Sequence, residues 1–184
     1  VRSGNKKGAK SLKKAVFLDR DGVINEVLTD RVKFVNRPDQ FYLLDRAGEA
    51  VKLLNDHGYL VYVVTNQGGV GLGFMTEYQL NQVHNEMIRQ IAEKGGVIQE
   101  TASCTHVPNS GCLCRKPEPG MILSLAERFK IDLSRSYMIG DREPDMSAGK
   151  GAGTHVLFIG NQPGLGEAQF PTLWEAAQWI VLKN

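Results

Sequence analysis

Two carboxylates, Asp19 and Asp21, stand two residues apart in Leu18-Asp19-Arg20-Asp21-Gly22-Val23-Ile24, directly after the apolar run Ala15-Val16-Phe17. Side chains at i and i+2 of an extended segment point the same way, so the spacing predicts that both face one spot. Like charges held that close need a cation between them or a shared proton. Three readings fit the stretch: a solvated Asp/Gly turn, a Mg²⁺ or Ca²⁺ site, or a nucleophile (Asp19) with an acid/base partner (Asp21). Gly22 lets the chain turn sharply away.

All three cysteines fall in one short segment, where Cys104, His106, Cys112 and Cys114 form the pattern C-x-H-x₅-C-x-C. Three thiolates and an imidazole complete a tetrahedral Zn²⁺ shell with no open position, which makes such a site structural. The plain alternative is three buried cysteines beside a chance histidine. An odd cysteine count argues against a disulfide framework. Cys114 runs straight into Arg115-Lys116-Pro117, and proline biases Lys116 away from helix. A cation pair anchored in this way suits an anion clamp, whereas an ordinary charged pair would simply be solvated.

A further acidic cluster lies in Gly140-Asp141-Arg142-Glu143-Pro144-Asp145. Asp141 can complete an oxygen shell with Asp19 and Asp21, and hard carboxylates with open water positions suit Mg²⁺. For Asp145, metal binding and capping of the next helix both stay open. His57, His84 and His155 stand alone and read as surface or packing residues.

The elements that must position these groups alternate strand with helix. Strands are expected at 15–17, 59–64, 97–105, 137–139 and 155–159, the second a β-branched and aromatic run suited to burial on both faces. Helices are expected at 46–57, from Thr76 to Gly95, over about 119–130, near 144–150 and from Thr172 onward. Thr76/Gln79 and Thr172/Glu175 have capping-box spacing. The alternation predicts an α/β fold with a doubly wound parallel sheet, whose ligands sit at the carboxyl ends of strands. Asp19/Asp21, Thr65/Asn66 and Asp141 all fall at such ends, and this favours chemistry over a bare turn.

Of 22 basic residues against 20 acidic, six Lys/Arg and no acid fall within residues 1–14. Residues 1–13 are therefore expected to be a basic, disordered tail and 14–184 the folded domain, whose own balance is acidic. An acidic body argues against nucleic-acid binding, and no apolar run approaches membrane-spanning length. A cytoplasmic monomer is expected.

In their order, FLDRDGV, VVTNQ, CRKP and GDREPD resemble the four motifs of the haloacid dehalogenase (HAD) superfamily of phosphotransferases, over about residues 14–160. Forty-three residues separate Asp21 from Thr65, which implies the capless branch, subfamily IIIA. The resemblance implies a Mg²⁺-dependent phosphomonoesterase working through an aspartyl-phosphate. Asp19 would be the nucleophile, Asp21 the acid/base, and the Thr65 hydroxyl, the Asn66 backbone N–H and Lys116 the phosphoryl-holding groups. Asp19, Asp141 and the Asp21 carbonyl would bind Mg²⁺. Asn66, Gln67, Arg115 and Arg142 are implied to recognise the substrate, a small phosphorylated metabolite. KPEPGM and GVGLGFMTEYQL resemble heptose bisphosphate phosphatases. The five-residue gap from His106 to Cys112, and Arg142 in place of lysine, depart from them, and the short gap resembles histidinol-phosphate phosphatase domains. A polynucleotide 3′-phosphatase and a non-catalytic zinc module are the remaining readings.

Overall fold

The computed structural model describes residues 12–162 and 164–183. The tail expected over 1–13 falls outside them except for Leu12 and Lys13, and Lys13 is bridged to Ile131.

Six strands form one parallel sheet: β1 (Ala15–Leu18), β2 (Leu60–Asn66), β3 (Glu100–Cys104), β4 (Tyr137–Gly140), β5 (His155–Ile159) and β6 (Ala168–Phe170). Their order is β3-β2-β1-β4-β5-β6. Among the described residues five α-helices connect or follow them: α1 (Ala47–Asp56), α2 (Glu77–Glu93), α3 (Gly120–Phe129), α4 (Glu143–Ala152) and α5 (Leu173–Lys183). The strand order reverses direction between β1 and β4, and the crevice outside a parallel sheet opens at such a switch point.

Every residue of β1 is buried, so the strand is covered on both faces. Alternation sorts the side chains. Val16, Leu18, Val61, Val63, Ile139 and Leu157 pack with α1, α2 and α5, while Phe17, Tyr62, Val64, Met138 and Val156 pack with α3 and α4. Burying each such side chain stabilises the fold by about 1.5–3 kcal/mol, which fixes the register of the strand ends that carry the polar groups.

The capping box of α2 is formed: the Thr76 hydroxyl accepts from Gln79 N–H (3.1 Å) and Gln79 Oε1 accepts from Thr76 N–H (2.7 Å). At α5 the Thr172 hydroxyl accepts from Trp174 N–H at 3.1 Å and donates to Glu175. The β1–α1 connection holds one turn of 3₁₀ helix, Pro38–Gln40, and no inserted domain, as a capless chain requires.

Two expectations need correction. The strand expected over 97–105 is shorter, because only Glu100–Cys104 pair along β2. β6 has no counterpart in the sequence reading, since three partly exposed edge residues carry no usable period. Among the described residues no helix is long and apolar enough to cross a membrane.

Candidate active site

Asp19 follows the last residue of β1, and its N–H donates to Ile139 O at 3.0 Å, which locks it beside β4. Lys116 reaches it from the far side of the crevice. Its Nζ lies 2.8 Å from Asp19 Oδ1, 2.6 Å from Asp145 Oδ1 and 2.8 Å from Val64 O. An ammonium carries three protons, so these three acceptors use them all. The Lys116 backbone is pinned as well: Asn66 Oδ1 accepts from Lys116 N–H (3.0 Å) and Asn66 Nδ2 donates to Lys116 O (2.9 Å). One buried cation therefore ties together the ends of β1 and β2 and the start of α4.

Asp145 has both a capping and a site position. Its Oδ2 accepts from Arg142 N–H at 3.1 Å and caps α4, while Oδ1 meets Lys116. Asp141 enters from the end of β4 against Gly22, where a Cβ would sit 2.2 Å from Asp141 Oδ2 on a backbone of φ +85°. Only glycine fits there. Asp19, Asp141 and Asp145 each place an oxygen within 4.8 Å of the others. Burial raises Asp19 to about 7, with Asp145 adding to the rise and Lys116 opposing it. Burial and Asp145 raise Asp141 to about 6, against Arg142. Asp141 Oδ1 is buried without a hydrogen-bond partner. Crowded hard oxygens, one of them orphaned, are the donor set that a divalent cation such as Mg²⁺ satisfies.

The Asp21 charge is felt at Asp19 and adds to its rise, but Asp21 does not join the Asp19–Asp141–Asp145 cluster. β1 ends at Leu18, and the chain turns at once, with Arg20 O accepting from Ile24 N–H at 2.8 Å. The i, i+2 rule presumes extended backbone, which is absent here. The Asp21 carboxylate instead receives Arg20, Asn25 and Gln67, and Arg20 leads the causes that hold it below the ordinary carboxylate range despite burial. Its side chain lies outside the carboxylate cluster.

The cysteine loop closes on itself. Cys104 Sγ and Cys114 Sγ lie 3.5 and 3.3 Å from His106 Nδ1, and each lies 3.6 Å from Cys112 Sγ. A tetrahedron with Zn–S near 2.3 Å and Zn–N near 2.05 Å has edges of about 3.8 and 3.6 Å, so the four donors fit a single metal ion. Cys112 is lowered to about 6, chiefly by Ser110, and Cys114 is raised to about 12 by burial and its sulfur neighbours.

A family model described as HAD-hydrolase-like matches residues 113–162, from the end of the cysteine loop through β5. The D-glycero-beta-D-manno-heptose-1,7-bisphosphate 7-phosphatase of Bordetella bronchiseptica is 38% identical over 140 residues, 76% of each chain. The corresponding protein of Pasteurella multocida is 40% identical over 147 residues, 77% of this chain and 78% of that one. The crystal structure of the B. bronchiseptica D,D-heptose 1,7-bisphosphate phosphatase, complexed with magnesium and phosphate, superposes with a TM-score of 0.84 at 32% identity. The match covers 93% of this chain and 99% of that one. This chain belongs to the heptose-bisphosphate phosphatase family of HAD-like hydrolases.

In this HAD-family phosphatase the remaining expected site residues divide. Thr65 is buried at the end of β2, and its hydroxyl accepts from Gln67 Nε2 at 2.8 Å. The same Nε2 donates to Asp21 Oδ2 at 3.0 Å, so Gln67 braces two site residues and its amide hydrogens are spent. The Asn66 side chain makes two bonds to the Lys116 backbone, one accepted by Oδ1 and one donated by Nδ2. The tight strand end folds both side chains inward onto these partners. Arg115 points Nη1 toward His106 O at 3.5 Å, beside a cleft of about 310 Å³ lined by Asn109, Ser110, Leu113, Arg115 and Lys116. Arg142 is exposed at the start of α4.

Two polar residues escaped the sequence reading: Arg20 and Asn25, both buried. His84 was expected to be a surface or packing residue, and it meets Arg20 Nη1 at 3.4 Å. A signal for it was present, since His84 lies four residues beyond Leu80 on the buried stripe of α2.

Proposed function

We propose that this phosphatase removes the 7-phosphate of D-glycero-D-manno-heptose 1,7-bisphosphate through an aspartyl-phosphate on Asp19. The observation that carries the substrate is the similarity to heptose-bisphosphate phosphatases over three quarters of both chains. The chemistry rests on Lys116 bridging Asp19 and Asp145 beside Asp141.

Asp19 Oδ attacks phosphorus, and the phosphorus–oxygen bond to the sugar breaks as Asp21, protonated once the negative phosphate lies beside it, delivers that proton to the leaving oxygen. Asp21 then takes a proton from water, which attacks the acyl phosphate and regenerates Asp19. Lys116, exchanging one of its present acceptors for the phosphate, and the Thr65 hydroxyl hold phosphoryl oxygens while charge shifts among them. Asp19, Asp141 and the Asp21 carbonyl would hold Mg²⁺, with Asp145 adjacent. When bound, the ion supplies positive charge against the repulsion between Asp19 and a phosphate dianion. Cys104, His106, Cys112 and Cys114 would hold Zn²⁺, which fixes where Arg115 and Lys116 emerge. Arg115 and Arg142 are the cations left for the distal part of the substrate. The reading includes a cytoplasmic monomer.

Phosphate release measured with Mg²⁺ on heptose 1,7-bisphosphate and on histidinol phosphate tests the substrate. We expect kcat/KM to favour the heptose by about 100-fold, or about 2.7 kcal/mol of transition-state discrimination. The five-residue spacing between His106 and Cys112 favours histidinol phosphate as the second reading, and a reversed preference would establish it.

A further inference from the structure

Arg20 sits between Asp19 and Asp21 and is 1% exposed, a burial that arginine tolerates only when its donors are engaged. Its Nε donates to Asp21 Oδ1 at 3.1 Å, and its Nη2 lies 3.0 Å from both carboxylate oxygens. Asn25 Nδ2 adds a bond to Oδ1 at 2.9 Å and Gln67 Nε2 one to Oδ2 at 3.0 Å. The remaining guanidinium nitrogen, Nη1, faces His84 Nε2 at 3.4 Å. Arginine can only donate, so Nε2 must accept and the ring proton sits on Nδ1. Burial, with Arg20 adding to it, lowers His84 to about 4 and keeps the ring neutral for that part.

The chain of contacts runs from α2 through His84 and Arg20 to the one carboxylate of the acid set that stands outside the Asp19–Asp141–Asp145 cluster. A forked guanidinium fixes both the place and the plane of a carboxylate, which a single-point donor cannot. We infer that Arg20 and His84 are positioning residues for Asp21, with Arg20 aiming the carboxylate and His84 holding Arg20. This rests on the acid/base role proposed for Asp21. A merely structural ion pair would stabilise the fold without regard to the leaving group. A positioning pair matters only where proton delivery matters.

The leaving group therefore separates the two. Heptose 1,7-bisphosphate loses an alkoxide that needs a proton, whereas p-nitrophenyl phosphate loses a phenolate that does not. kcat/KM reports steps up to the first irreversible one and so isolates the phosphorylation half-reaction. With the metal-loaded full chain, His84→Leu is expected to lower kcat/KM about 10-fold on the heptose, and Arg20→Lys about 100-fold, with changes under about 3-fold on p-nitrophenyl phosphate. His84→Gln, which can still accept from Arg20, is expected to restore most of the loss. Equal losses on both substrates in His84→Leu, or no loss on either, would overturn the inference. Asp21→Asn is run beside them. If it too is indifferent to the leaving group, the acid role itself fails; if it alone is sensitive, only the positioning role fails. Should Arg20→Lys not fold, the His84 pair carries the test.

Discussion

Asp19 is a carboxylate that burial alone would neutralise, held against Lys116 and crowded by Asp145. Asp19→Asn keeps the shape and removes the nucleophile. Turnover should vanish, and near-normal phosphate release from the pure variant would contradict the assignment. Asp21→Asn should cost about 10²–10⁴-fold in kcat/KM on the heptose bisphosphate, the usual worth of a positioned acid/base. His84 offers a pH test of its buried state. Its folded pKa of about 4 lies below the ordinary 6.5, so the unfolded chain binds a proton between those values that the folded chain refuses. The stability linked to His84 is complete above 6.5 and is lost as pH falls through 4, by at most about 3 kcal/mol. Urea unfolding at pH 7 and pH 4.5 should show a larger loss in the parent than in His84→Gln. Equal losses would place His84 in contact with solvent.

Between elements, the decisive link is the Asn66 side chain, which joins the end of β2 to the segment behind the cysteine loop. Two partly buried hydrogen bonds to the Lys116 backbone depend on it. Asn66→Ala should destabilise the protein by about 2–3 kcal/mol, at about 1 ± 0.5 kcal/mol for each bond plus the unsatisfied groups left behind. It should also weaken phosphate binding, because Lys116 loses its anchor. Thr76→Ala is the contrast, costing about 1 kcal/mol through the lost cap of α2. That cap is not part of the site, so activity per folded molecule should hold. Chemical denaturation paired with phosphate titration separates the two variants.

At the scale of the molecule, a sheet that reverses order between β1 and β4 opens a crevice at their carboxyl ends, and the cysteine loop forms one wall of it. Stripping the Cys104–His106–Cys112–Cys114 site with a chelator should lower Tm and raise KM together, because the loop that loses its metal also carries Arg115 and Lys116. Elemental analysis of freshly purified protein is the companion measurement, and a sample that lacks zinc would end this prediction. Added Mg²⁺ with phosphate should raise stability by about 2.7 kcal/mol at 100 times the dissociation constant.

Local periodicity and spacing were enough to place the parallel α/β sheet, the capless connection, the α2 capping box and the four-donor cysteine loop. These depend on neighbours in the chain: a strand buried on both faces, a Thr-x-x-Gln start, and ligands within eleven residues. What the side chains of Asp21, Asn66, Gln67 and Asp145 face could not be read that way. Each direction is set by partners far along the chain, as Lys116 is for Asn66, 50 residues away, and Gln67 for Asp21, 46 residues away. A carboxylate or amide in a crowded crevice turns toward whichever donors the packed elements bring to it. Only the closed tertiary structure decided that Asp145 joins Asp19 on Lys116 while Asp21 turns to Arg20.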